Sequence, residues 1–144
     1  MARIIHTGDT PAKRRHALMR SCAEVLRLLA QRPAFDAEAQ DMAAFLVFNL
    51  RDVYQIIDES AQSWDDRRYW KKAEALRAKW RWAPLAADAL EARIRAGEWD
   101  AVPPLLIELV PHFSGITVTA ITRDADWWCG AHRALLRRTP AGTH

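Results

Sequence analysis

Apolar positions recur along this chain at helical spacing almost from end to end. Thr10-Pro11 reads as a helix start: the hydroxyl can accept a free amide of the first turn, and proline is tolerated where its missing N–H is not needed. Leu18, Cys22, Val25 and Leu29 follow at intervals of four, three and four, one helix face widened by Met19 and Leu26 and stopped at Arg32-Pro33. Asp36 can cap a second helix. On it Met42, Leu46, Asn49, Val53 and Ile56 share a face, Phe45, Leu50 and Ile57 flank that face, and Val47, Phe48 and Tyr54 make the opposite side partly apolar. A helix apolar on most sides is central in its fold or lies at a subunit interface. This one is expected to be the hub, running to about Gln62. Asn49 needs a buried partner, either a hydrogen bond to another helix or a role in selecting register in an oligomer.

Ser63-Trp64-Asp65-Asp66 has the form of a capping box and predicts a third helix from Trp64 to Trp82, with Tyr69, Ala73, Leu76 and Trp80 facing the core. Pro84 can open a fourth helix, which holds Leu85, Leu90 and Ile94 and ends at Gly97, a residue suited to a left-handed cap. Asp100 caps a short fifth helix with Pro103 and Pro104 in its first turn, Leu105 to Val110 as its apolar body and Pro111 as its limit. Ile116 to Thr122 is rich in β-branched residues and reads as a strand on propensity. Its one available partner is residues 3–6, and a lone strand is not stable, so a helical continuation is the alternative. Asp124 can cap a last helix over about residues 125–138, and residues 139–144 read as a loose tail. The expected fold is all-α: a compact bundle of five or six helices in one domain over 1–144, with a core of 11–138 and at most a two-stranded pairing of 3–6 with 116–122.

Charge alternates in blocks. Residues 1–35 carry seven Lys/Arg and two Asp/Glu, 36–66 one and eight, 67–95 nine and three, and 96–144 four and five, for a net charge of +3. An acidic helix between basic neighbours suits antiparallel helices that attract each other. The other reading is a basic face for nucleic acid or an acidic partner. No stretch approaches a membrane span and the first residues carry no long apolar run, so no membrane association and no secretory signal is expected. Cys22 and Cys129 make no disulfide framework, which fits reduced thiols in the cytoplasm.

Trp64, Trp70, Trp80 and Trp82, four of the seven tryptophans, interleave with Arg67, Arg68, Lys71, Lys72, Arg77, Lys79 and Arg81. Aromatics between cations serve single-stranded nucleic acid, because bases stack on rings while phosphates meet Lys and Arg. On a helical wheel these cations surround the helix, with Arg67, Lys71 and Trp82 pointing away from the core. That is also how a solvated amphipathic helix looks. The candidate binding residues are Arg67, Arg68, Trp70, Lys71, Arg77, Arg81 and Trp82; Phe48, Tyr54, Trp127 and Trp128 are the candidate subunit interface. Cys129 and His132, three apart on a helix, are two potential zinc ligands or a Cys–His pair, with Asp126 and His112 nearest to complete a metal site. Two ligands do not make a site, so no metal or cofactor is expected. The chain holds no Glu-x-x-His pair, Gly-rich phosphate loop, Gly-x-Ser-x-Gly or His-Glu-x-x-His.

Asp41-Met-Ala-Ala-Phe and the run from Trp64 to Trp82 resemble a small helical family of uncharacterised bacterial proteins over roughly residues 12–110. The resemblance implies a compact helical domain and transfers no activity. Three functions are therefore carried forward. The first is a non-catalytic interaction or adaptor module that forms a homodimer, the second a nucleic-acid binder using residues 64–82, the third a metal or Cys–His enzyme at Cys129 and His132.

Overall fold

The structure, a computed structural model, describes residues 9–140. Among these residues every regular element is helical. The order is α1 (Pro11–Ala30), α2 (Ala37–Asp66), α3 (Trp70–Trp80), α4 (Trp82–Arg95), a 3-10 turn (Trp99–Ala101), α5 (Val102–Leu109), a second 3-10 turn (Val110–Phe113), α6 (Ala125–Trp128) and α7 (Ala131–Leu136). The all-α bundle is as expected, with five helices of eight residues or more and two short ones at the end. The caps at three of the expected positions form: Thr10 Oγ1 accepts from Lys13 N at 3.1 Å, Asp36 Oδ1 from Ala39 N at 2.9 Å and Asp124 Oδ1 from Asp126 N at 3.1 Å. Asp100 does not cap α5, because it lies within the 3-10 turn that leads into the helix and Ala101 takes the cap position.

α2 is the hub. Every residue from Met42 to Leu50 is buried, so this stretch has no solvent face, and α1, α3, α4, α6 and α7 all pack on the helix. Its apolar surround is covered by the same chain. Asn49 finds its partner locally, Nδ2 donating to Phe45 O at 3.1 Å one turn back, and among the described residues makes no hydrogen bond to another helix.

The α2–α3 boundary differs from the expectation. Ser63 starts no helix: α2 runs on to Asp66 because its buried stripe continues through Val53, Ile57 and Ala61 to the half-buried Trp64. The helix then stops in a left-handed turn. Arg68, at φ 64°, donates to Asp65 O at 2.9 Å, and Tyr69 N donates to Trp64 O at 2.9 Å, the paired bonds of a Schellman cap. The same cap ends α4, where Gly97 holds the left-handed position at φ 70°, as its sequence suggests. At the first cap an arginine sits where glycine is preferred, and the left-handed conformation costs a side chain about 1 kcal/mol. Tyr69 consequently leaves the core-facing stripe and is 48% exposed, while Ala73 stays buried.

The predicted last helix is likewise broken. Gly130, at φ 82°, separates α6 from α7. Having no side chain to cap α7, it is supported from α2: the Asp41 carboxylate accepts from Gly130 N at 3.2 Å and from His132 N at 3.0 Å.

Residues 116–122 form no strand; the proposed partner, residues 3–6, lies outside the described residues, as does the end of the tail from 141. The segment crosses α1 as irregular chain, and side chains of α1 satisfy its backbone. Arg20 donates to Thr117 O at 3.2 Å and Ala120 O at 2.6 Å, and Arg27 donates to Val118 O. Glu24, fully buried, accepts from Thr122 N at 2.6 Å, Arg123 N at 2.8 Å, Thr122 Oγ1 at 2.7 Å and Arg20 Nε at 2.7 Å. Glu91, the second buried acid, joins Arg51 of α2 at 2.5 Å and Arg95 at 2.6 Å; Arg95 also donates to Leu135 O at 2.8 Å and Arg138 O at 2.6 Å.

Burial alone would raise the pKa of Glu24, but its hydrogen bonds from Arg20, Arg123 and Thr122 outweigh it and hold the value at about 2. The folded value lies below that of the unfolded chain. The stability Glu24 supplies is therefore complete above the ordinary carboxylate range and is lost as pH falls through it towards about 2. Glu24→Gln is expected to cost about 2–3 kcal/mol at neutral pH and to flatten this acid limb, read from urea midpoints across pH. Arg68→Gly is expected to stabilise by up to about 1 kcal/mol, read in the same way.

Candidate functional site

Ion pairing inside the bundle absorbs much of the charge alternation. Arg77 bridges α3 to α2, with Nε 2.9 Å from Asp58 and a terminal nitrogen 2.8 Å from Asp65. These two carboxylates push the guanidinium pKa further above its ordinary value, so Arg77 is a fixed cross-link and no free hand for a ligand. Arg14 reaches Glu59 at 3.4 Å, and Arg51 reaches Asp88 at 2.9 Å. Arg81 is exposed, 4.0 Å from Glu74.

Trp82 does not point away. It is half-buried and stacks on His112 with ring centroids 3.9 Å apart and planes 6° from parallel; Phe113 meets it edge-on at 5.8 Å. Arg77 and Trp82 thus leave the predicted binding set for physical reasons, one neutralised and one packed. Arg81 lies at the opposite end of α3, so it leaves the set as well, and the remaining four sit at the α2–α3 corner. Arg67, Arg68, Trp70 and Lys71 are all exposed there, and Trp64, Tyr69 and Lys72 stand beside them. Arg67 lies 4.8 Å from the Trp64 ring centre and 5.3 Å from that of Tyr69; Lys72 lies 4.8 and 5.5 Å from the same rings. Arg68, Tyr69, Trp70, Lys71 and Lys72 line a shallow hollow of about 250 Å³.

The candidate interface residues separate. Phe48 is buried under the Arg138 guanidinium, 5.4 Å from the ring centre. Trp128 is buried, with Nε1 donating to Glu38 at 3.1 Å and its ring edge-on to Phe45. Both are covered by their own chain. Tyr54 is half-buried, and Trp127 is exposed beneath Arg123, 4.7 Å from the ring centre.

A larger apolar surface lies elsewhere. Trp82, Leu85, Ala86, Ala89, Leu105, Leu109 and their neighbours line an open groove of about 310 Å³ between α4 and α5, with Glu108 and His112 as its polar edge. On its rim Leu85 is 61% exposed, and on the outer side of α5 Ile107 is 71% exposed and Val110 54%. The signal was in the sequence, since Val102 to Val110 carries one charge, Glu108, and is apolar on every other side. Spacing alone does not show which side a neighbour will leave uncovered.

Cys129 and His132 lie in different helical segments, Cys129 at the end of α6 and His132 in α7. The break at Gly130 removes the continuous turn that would have put both on one face. The His132 ring is edge-on to Trp99 at 5.2 Å, and His112, a proposed third ligand, is stacked on Trp82. Among the described residues no group of three or more His, Cys, Asp or Glu is placed to hold a metal ion, and no helix is long and apolar enough to cross a membrane. The two cysteines are unpaired, Cys22 buried and Cys129 exposed. Burial, with Asp52 nearby, pushes the Cys22 thiol well above its ordinary pKa. Comparison with protein-family models, curated proteins and solved structures returned no match.

A disulfide-exchange reagent is therefore expected to label one thiol per native chain, Cys129, and to reach Cys22 only in denaturant. Loss of the native signal in Cys129→Ser checks the assignment.

Proposed function

We propose that the chain is a non-catalytic interaction module that self-associates as a dimer through the α4–α5 face. The observation that carries this reading is the exposure of Leu85, on the rim of the groove of about 310 Å³, and of Ile107 and Val110 on the outer side of α5. Several large apolar side chains left exposed on neighbouring helices mark a contact site.

The occupant is a second copy. Groove and ridge belong to the same short helix: Leu105 and Glu108 line the groove, and Ile107, between them in sequence, stands on the solvent side. A surface carrying both a knob and a hollow can pair with itself about a two-fold axis, each copy filling the other. A stable contact needs about 800 Å² from each partner. The interface therefore extends along the outer face of α5, from Pro103 to Pro111, which is exposed and carries Glu108 as its one charge. The exposed Cys129 thiol suits a reducing compartment, the cytoplasm.

The expected result is a dimer by sedimentation at micromolar concentration. Ile107→Lys and Leu85→Lys should give monomers with unchanged helical circular dichroism. A wild-type chain that stays monomeric at high micromolar concentration, or variants that remain dimeric, would overturn the reading.

A further inference from the structure

We infer that the α2–α3 corner is a binding surface for single-stranded nucleic acid. Within seven residues, Asp66 to Lys72, the chain presents four cations, Arg67, Arg68, Lys71 and Lys72, against one acid, Asp66, which is held by Gln62 at 3.0 Å. No carboxylate lies in ion-pair distance of these four cations among the described residues, although elsewhere on α2 and α3 such pairs form readily.

The rings sit among the cations. Trp64 and Tyr69 meet edge to face at 5.7 Å and are flanked by Arg67 and Lys72, while Trp70, 65% exposed, has no ring or cation partner among the described residues. An open indole beside a hollow rimmed by Arg68, Lys71 and Lys72 can stack a base and meet its phosphates together. The turn also spends conformational energy on a cation: Arg68 occupies a left-handed position that glycine fills more easily. The first turn of α3 holds no acid, so the positive end of the helix adds to the same field.

Unpaired bases fit this surface better than a membrane. From Trp64 to Glu74 the only aliphatic side chain is Ala73, which is buried, so the corner has rings and charge but no aliphatic area to sink into lipid. Duplex DNA offers phosphates but keeps its bases stacked, leaving Trp70 and Tyr69 without a role.

The test uses the full chain and fluorescence anisotropy with a labelled oligothymidylate at low salt. The expected result is micromolar binding that is tighter than to duplex of equal length. With four phosphates engaged, the logarithm of affinity should fall against that of salt with a slope near about −3. Trp70→Ala should weaken binding roughly tenfold and leave the slope unchanged. Arg68→Asn with Lys71→Ala should reduce the slope by roughly one to two. All three positions are exposed, and circular dichroism confirms that each variant is folded. Absence of binding at low salt would overturn the proposal. So would duplex binding as tight as single strand, or an unchanged affinity in Trp70→Ala. Anionic vesicles that capture the protein while the oligonucleotide does not would assign the corner to a membrane surface instead.

Discussion

The constraint on which the structure depends is the absence of any solvent face on α2 between Met42 and Leu50. A helix of this kind cannot be half-covered. Burying a large aliphatic side chain is worth about 1.5–3 kcal/mol, and leaving one side of α2 open would forfeit several such contributions at once. The other helices are therefore laid around it: α1, α3 and α4 form most of the wall, and α6 and α7 close the remaining side near the start of α2. The acidic edge of α2 does the aligning. Glu38 and Asp41 hold the C-terminal helices, and Asp58 and Asp65 hold α3 through Arg77.

Polar anchors secure the parts of the fold that apolar burial does not. The crossing from Ile116 to Arg123 has no ladder of its own, and α1 supplies Arg20, Glu24 and Arg27 to meet its backbone groups. Glu91 performs the same task between α2, α4 and the end of α7 through Arg51 and Arg95. A buried carboxylate is tolerated at each place because several donors converge on it. Such a group adds little to total stability compared with an apolar residue, but it penalises any register in which the donors are misplaced.

The sequence was most legible where one periodic signal acted alone. The caps at Thr10, Asp36 and Asp124, the hub, the stop at Gly97 and the all-helical class all follow from spacing and capping chemistry. It was less legible where two signals competed. Ser63 looked like a cap, but the buried stripe through Ala61 and Trp64 prevailed and carried α2 onwards. Gly130 looked like a tolerated helical glycine and is a break. The β-branched run at 116–122 looked like a strand because its partners, Arg20, Glu24 and Arg27, lie about ninety or more residues away and leave no local trace. The site residues divide in the same way. Arg67, Arg68, Trp70 and Lys71 come together at the corner. Arg77 and Trp82 are taken up by partners from distant segments. Phe48 and Trp128, strong apolar residues on the sequence, are strong because they are core. The ridge on α5 was visible as composition and emerged as a surface only once the neighbours of α5 were placed.

Two surfaces remain after the hub has been enclosed and the charges paired, one apolar on α4–α5 and one cationic and aromatic at the α2–α3 corner. Both have meaning only if a single chain completes the core without help. Native-state hydrogen exchange on the chain at dilutions where it is monomeric tests that condition most directly. The backbone amides of residues 42–50 should be the slowest in the molecule, exchanging only through global unfolding and at a rate independent of protein concentration. Exchange of these amides as fast as at the helix ends, or protection that appears only as the chain associates, would show that a partner encloses α2 and would contradict the arrangement described.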